Sequence, residues 1–215
     1  RLLRDVSWQD FFVFWTFVKA SDAHHDPVRA ANILDQFPLD SNAMVSGLDS
    51  ERIDLLWRYV AHTAHSEAVA DILIEVSRRY PKHLRVKELF ETMESCARIG
   101  QAIYDAYRGG RVRTIYDLAC GHGLLGILFA WRFRDAEVVG VDRERQDAFG
   151  HYLDVARSLG HRIDNIRVVE ADIADTKIEH QSYVVCIHAC NEATQMALEA
   201  SMPSWSVTWT AMATK

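Results

Sequence analysis

The stretch from Thr114 to Gly126, with the apolar run Ile127 to Phe133 behind it, allows this chain few folds. A short apolar run, a glycine turn and a second apolar run predict a buried strand, a loop and a helix in direct succession. Gly121 lets the backbone turn sharply, Gly123 lets a ligand approach the main chain, and Gly126 lets the helix pack closely on the strand. A loop of this kind holds a nucleoside-bearing ligand. The G-x-G-x-x-G spacing is shared by NAD, FAD and S-adenosylmethionine sites, so the neighbouring residues must choose among them.

Asp117 makes that choice on electrostatic grounds. A carboxylate at the strand end, four residues before the first glycine, would repel a dinucleotide pyrophosphate at a cost on the order of kcal/mol in a partly dry cleft. A ligand carrying a sulfonium and an ammonium would be favoured there. The run Asp117, Leu118, Ala119, Cys120, Gly121, His122, Gly123 resembles the first motif of class I S-adenosylmethionine-dependent methyltransferases, with Ala119 where that family often has glycine. The resemblance covers residues 88 to 195.

Further strands follow in the expected order. Ala136 to Asp142 reads as a second buried strand closing on a carboxylate. Asp142 falls roughly 20 residues past the glycine loop, where an acid accepts from both ribose hydroxyls. Arg143 then flanks the adenine. A helix from Arg145 to Leu159 ends at Gly160, and Ile166 to Ile173 gives a third strand with Asp172 at its tip. The resemblance implies that Asp172 accepts from the adenine amino group and that the Ile173 amide meets a ring nitrogen. Asp172 also fits a capping aspartate in a strand-to-helix loop.

Ser182 to Cys190 is a fourth strand, nearly continuous in apolar residues, as a strand covered on both faces should be. Its exit, His188 to Thr194, lies where such folds place the acceptor. That phrase resembles the fourth motif of a methyltransferase subgroup reading His-x-Cys-x-x-x-Thr, which includes relatives of tRNA 2′-O-methyltransferases. By analogy RNA is the favoured acceptor class. His188 has the pKa suited to a base, with Asn191 or Glu192 orienting the acceptor; it reads equally as a satisfied strand histidine. Cys186, His188 and Cys190 share one strand face with Cys120 nearby, and pack as small apolar residues rather than as a metal site.

Before Gly109 only Gly47 and Gly100 occur, so the amino-terminal part reads as helical. A helix spans residues 7 to 19, and a second, opened by Pro27, ends near Phe37 and Pro38. A third segment, capped by Asp49 or Ser50, runs to Tyr80 with a break between His62 and Ser66. His62 and His65, one turn apart, read as polar surface rather than metal ligands. The stripe Leu89, Phe90, Met93, Ala97, Ile99, Ile103 forms a helix ended by Gly109 and Gly110, on which Arg98 either reaches a methionine carboxylate or covers the helix surface.

The chain therefore reads as α/β: a Rossmann-like parallel sheet sandwiched by helices, shortened after the fourth or fifth strand, behind an amino-terminal helical domain. The boundary falls between 1–86 and 87–215. Trp205, Val207 and Trp209 alternate with polar residues and permit one more strand, exposed on one face. Proposed cofactor contacts are Asp117, Ala119, Cys120, Gly121, His122, Gly123, Asp142, Arg143, Asp172, Ile173 and His188; the acceptor side is His188, Asn191 and Glu192; no metal is expected. Two other readings stay open: a methyltransferase-like module without turnover that serves interaction through its helices, and a nicotinamide-dependent oxidoreductase, which Asp117 and Asp172 disfavour.

The net charge of −6 argues against a free-standing nucleic-acid binder acting by bulk phosphate neutralisation, while a local basic patch could still hold RNA. Four cysteines, none in C-x-x-C spacing, fit a reducing, intracellular and cytoplasmic setting. Phe11 to Val18 is far short of the roughly 20 residues that span a bilayer, and Asp5 and Asp10 in its flank argue against a signal peptide.

Overall fold

The computed structural model describes residues 33–40, 42–187, 195–197 and 199, and the backbone of 208–211. The expected helix at 7–19, Pro27, and the acceptor phrase 188–194 lie outside these residues, as do Trp205 and Val207. Two compact units are present, Arg1–Leu39 and Asp40–Lys215. In the first, Ile33 and Leu34 are helical and the chain turns before Pro38.

The second unit begins with a 3-10 turn, Val45–Gly47, and helix α1, Ser50–Ala64. Asp49 caps α1, its carboxylate accepting from the Arg52 amide at 2.9 Å. His65 closes the helix in the left-handed region, φ 50°, and Ser66 starts α2, Glu67–Arg79, by accepting from the Val69 amide. The break expected between His62 and Ser66 is this joint. Helix α3, Val86–Arg108, then runs to Gly109 and Gly110, the latter at φ 66°.

From there strands and helices alternate: β1 Thr114–Leu118, α4 Leu124–Arg132, β2 Glu137–Asp142, α5 Asp147–Ser158, β3 Ile166–Glu170, a 3-10 turn Ile173–Asp175, β4 Ser182–Cys186 and β5 Thr208–Ala211. All pairs are parallel, in the order β3-β2-β1-β4-β5. The fifth strand permitted by the tryptophan alternation is thus present from Thr208. β1 and β4 are buried at every residue, whereas β3, at the sheet edge, exposes Arg167 and Glu170. That contrast is what a central and an edge strand require.

Two cores form. On one face Tyr116, Leu118, Val139, Val141, Val184 and Cys186 pack with Ile173 and Ala197. On the other lies α4, in which every residue from Leu124 to Ala130 is buried. A helix apolar all round must be covered all round. α2 supplies part of the cover: Val69, Ile72 and Leu73 meet Leu124, Ile127, Leu128 and Trp131, with Tyr152 of α5, around a void of about 10 Å³. Tyr152 is 1% exposed, and its hydroxyl donates to the His83 carbonyl at 3.2 Å, fastening α5 to the α2–α3 connection. Tyr80 stacks on His151 at 3.8 Å beside that bond, with His83 edge-on at 4.7 Å.

Candidate functional site

The chain leaves β1 for β2 on one side and returns to β4 on the other, so the strand order reverses at the carboxyl end of β1. Loops diverge at such a point and leave a crevice. The glycine turn sits there.

Three of its residues lie in the left-handed region: Ala119 at φ 58°, Gly121 at 52° and Gly123 at 74°. Ala119 carries a methyl group at a torsion that costs an L-residue about 1–2 kcal/mol, and glycine would be relieved of it. Backbone bonds hold the turn: the Cys120 amide donates to the Val141 carbonyl at 3.1 Å and the Gly123 amide to the Cys120 carbonyl at 2.8 Å. The space about the two glycines differs. A Cβ on Gly123 would stand 2.7 Å from Phe149 Cδ2, whereas one on Gly121 would meet only the Gln146 amide, at 3.8 Å. Gly123 therefore packs against α5, and Gly121 faces open space.

Asp142 ends β2 and latches the turn, Oδ2 accepting from the Gly121 amide at 2.7 Å. Its Oδ1 makes a long bond, 3.4 Å, with the Glu144 amide and retains capacity for further donors. Asp142→Asn keeps an acceptor but loses the charge, and is expected to lower stability by about 1 kcal/mol in urea unfolding. An unchanged midpoint would show that the latch contributes nothing.

At the tip of β3, Asp172 caps the turn Ile173–Asp175 by accepting from the Ala174 amide at 3.0 Å, and Arg143 grips its other oxygen at 2.9–3.0 Å. The Ala174 amide, and then the guanidinium, hold this carboxyl below the usual range. Ile173 is buried in the core, so its backbone rather than its side chain borders the site.

Asp117 is elsewhere. It lies on the α4 face of β1, 3% exposed, and a Cβ on Gly126 would stand 3.5 Å from its Oδ2. That oxygen has no hydrogen-bond partner. Burial drives its pKa up to about 7; the Gly126 amide opposes this and Asp142 adds to it. The carboxyl thus sits beneath the turn instead of lining a slot. Cys120 also points inward, its sulfur 3.0 Å from where a Cβ on Gly140 would be, and burial raises its pKa. The Cys186 thiol is pushed up to about 12 by burial, with Asp117 contributing.

His122 turns away from the open side. Its Nδ1 accepts from the Leu124 amide at 3.2 Å, which leaves the proton of the neutral ring on Nε2, 3.8 Å from Glu88 of α3. Arg98 pairs with Glu94 on its own helix at 3.5 Å and is 41% exposed. Sequence reading overlooked Gln146, Phe149 and Glu88, which border the turn only because α3 and α5 fold against it. His188, Asn191 and Glu192 lie outside the described residues. Among the described residues no group of three potential metal ligands occurs.

A family profile described as "Methyltransferase domain" matches residues 82–213, well over half of the chain. The chain belongs to this methyltransferase domain family. Comparison with curated proteins gives no match. Among solved structures, this methyltransferase domain is similar to magnesium protoporphyrin IX methyltransferase from Synechocystis PCC 6803 with bound SAH, at 17% identity and TM-score 0.41, over 60% of this chain and 61% of that one. It is similar to PKMT2 from Rickettsia typhi in complex with AdoHcy, at 20% identity and TM-score 0.32, over 41% of this chain and 18% of the other. A third likeness is to an S-adenosylmethionine-dependent methyltransferase from Clostridium acetobutylicum, at 20% identity and TM-score 0.34, over 50% and 44%. The chain thus spans less than two thirds of the length of each.

Proposed function

We propose that this methyltransferase domain binds S-adenosylmethionine at the carboxyl ends of β1, β2 and β3 and transfers its methyl group to an acceptor of the RNA class. The observation that carries the reading is the latch between Gly121, in the turn after β1, and Asp142, at the end of the adjacent β2, 2.7 Å long at the point where the strand order reverses. It leaves an acidic acceptor beside a turn whose open glycine admits a ligand. A nucleoside whose ribose hydroxyls donate, and which carries a positively charged centre, fits that acidic acceptor. When bound, the cofactor supplies a methyl group activated by a sulfonium.

The protein's own residues do the rest. Asp142 accepts from ribose hydroxyls, and Asp172 with the Ile173 backbone borders the adenine while Arg143 covers it. Ala119, Cys120, Gly121, His122 and Gly123 contribute as the turn, through main chain more than side chain. Asp117 acts from underneath, buried on the α4 face of β1 below the turn. Because displacement at the methyl carbon is in line, the main task is positioning. His188 takes a proton when the acceptor arrives protonated, and Asn191 and Glu192 orient it. The methyl-transferring domain is 87–215, preceded in sequence by a helical domain over 1–86. Cys96, Cys120 and Cys186 are free and buried, which supports a reducing, intracellular setting. No helix among the described residues is long and apolar enough to cross a membrane.

The experiment is transfer of a tritiated methyl group from S-adenosylmethionine to fractionated RNA, protein and small molecules by the whole chain. Label in RNA that disappears with Asp142→Ala is the expected result. Label in protein alone would refute the RNA class; cofactor binding without label in any fraction would favour an interaction module.

A further inference from the structure

The described arginines are nearly all paired with carboxylates wherever they lie on α1, α2, α5, β3 or the carboxyl-end loops: Arg52 with Asp49, Arg78 and Arg79 with Glu75, Arg157 with Asp154, Arg167 with Glu137, Arg143 with Asp172. One face breaks this pattern. Arg108, Arg111, Arg113, Arg132 and Arg134 are exposed, and among the described residues none has a carboxylate within ion-pair distance. Elsewhere only Arg58 and Arg145 share that condition.

These five arginines stand on the last residues of α3 and α4 and on the connections α3–β1 and α4–β2, which enter the sheet side by side. The Glu137 amide donates to the Arg113 carbonyl at 2.9 Å, and the Tyr107 hydroxyl to Asp135 at 3.0 Å. Arg134 extends the row to the next connection, donating to the Arg162 carbonyl at 2.6 Å while its guanidinium covers Trp131 at 4.5 Å. Of the acids on this face, Glu137 pairs with Arg167 and Asp164 with Arg162, while Asp105 and Asp135 bond the neutral Gln101 and Tyr107 and keep their charge, so the arginines outnumber the uncompensated acids five to two. So the amino-terminal edge of the sheet carries guanidinium groups that have no carboxylate partner among the described residues, Arg108, Arg132 and Arg134 lying over Tyr104, Phe133 and Trp131, on a chain of net charge −6. Asp142 and Asp172 stand at the opposite edge, where Arg143 is paired with Asp172.

We propose that this row is a docking surface for the phosphate backbone of a single-stranded polynucleotide. The two connections feed adjacent strands, about 4.8 Å apart, so their cations gather in one patch that complements the charge of a polyanion. Arginine without lysine suits bidentate contact with phosphate oxygens. The inference concerns the edge opposite the methyl-transfer site and does not rest on that reading.

The test is fluorescence anisotropy of labelled poly(U) and poly(dT) oligonucleotides with the whole chain and no cofactor, across a salt series. Five phosphate contacts to a single strand give a log–log salt slope of about −3.5. Arg111→Gln/Arg113→Gln removes two, so the slope is expected to fall to about −2, with at least a tenfold loss of affinity at low salt. Arg52→Gln/Arg58→Gln, an equal charge change on α1, is expected to leave both unaltered. Thermal unfolding of each variant confirms that it folds. Equal weakening by the two pairs, absence of binding at low salt, or tighter binding to polyglutamate or to phosphatidylserine vesicles than to poly(U) would overturn the proposal.

Discussion

Asp117→Asn is expected to make the protein more stable at pH 8 and to flatten the fall in stability that the wild type shows between pH 4 and pH 7. The folded pKa of Asp117 is raised to about 7 from 3.8, first by burial. Between those values the folded state keeps a proton that the unfolded chain has released. The folded state therefore binds more protons, and stability falls as pH rises through this window, levelling above the folded pKa. Raising a carboxyl from 3.8 to about 7 corresponds to about 4 kcal/mol, an upper bound. Asparagine removes the ionisation but brings an amide donor into the same dry place, at a cost of about 1–3 kcal/mol. The net gain at pH 8 is then about 1–3 kcal/mol. Urea unfolding of both proteins at pH 5 and pH 8 measures it, and the difference between them isolates Asp117 from other titrating groups. A stability gap between the two proteins that does not change with pH would mean that the carboxyl is ionised throughout.

The second large effect separates two glycines that look alike. Gly123→Ala places a methyl group at φ 74° and 2.7 Å from the buried Phe149 ring. Left-handed strain costs about 1–2 kcal/mol and overpacking about 1–3, so a loss of roughly 2–5 kcal/mol is expected. Gly121→Ala meets the strain alone, because only the Gln146 amide lies near, at 3.8 Å. Its expected loss is about 1–2 kcal/mol of stability, with more than a tenfold loss of S-adenosylhomocysteine affinity, since the new methyl group points to the open side. Thermal unfolding and ligand titration on the two variants check this. Equal destabilisation would show that Phe149 does not press on the turn.

The strands were legible because buried parallel strands are written as short apolar runs, two of which, β2 and β3, close on an acid. Thr114, Ile166 and Ser182 each begin a strand where the apolar run begins, and Asp142 ends one. Capping and stop residues served equally well for the helices: Asp49 and Gly109 mark real ends, and the break expected between His62 and Ser66 is the joint between α1 and α2. Two features were not legible. In a strand covered on both faces, every residue faces protein, so alternation does not say that Asp117 points towards α4 rather than out of the crevice. The docking of α2 on α4 joins residues far apart in sequence, such as Leu73 and Ile127, and leaves no local pattern. Gly126 carried a partial signal of both, since a helix that opens with a glycine has something close beside it.

The most direct measurement is calorimetric titration of the whole chain with S-adenosylhomocysteine and, separately, with NADH. Saturable one-site binding of S-adenosylhomocysteine, weakened at least tenfold by Asp142→Ala, with no heat from NADH, is the expected result. Tight binding of NADH, or S-adenosylhomocysteine binding that Asp142→Ala leaves untouched, would contradict an adenosyl site at the carboxyl ends of β1, β2 and β3.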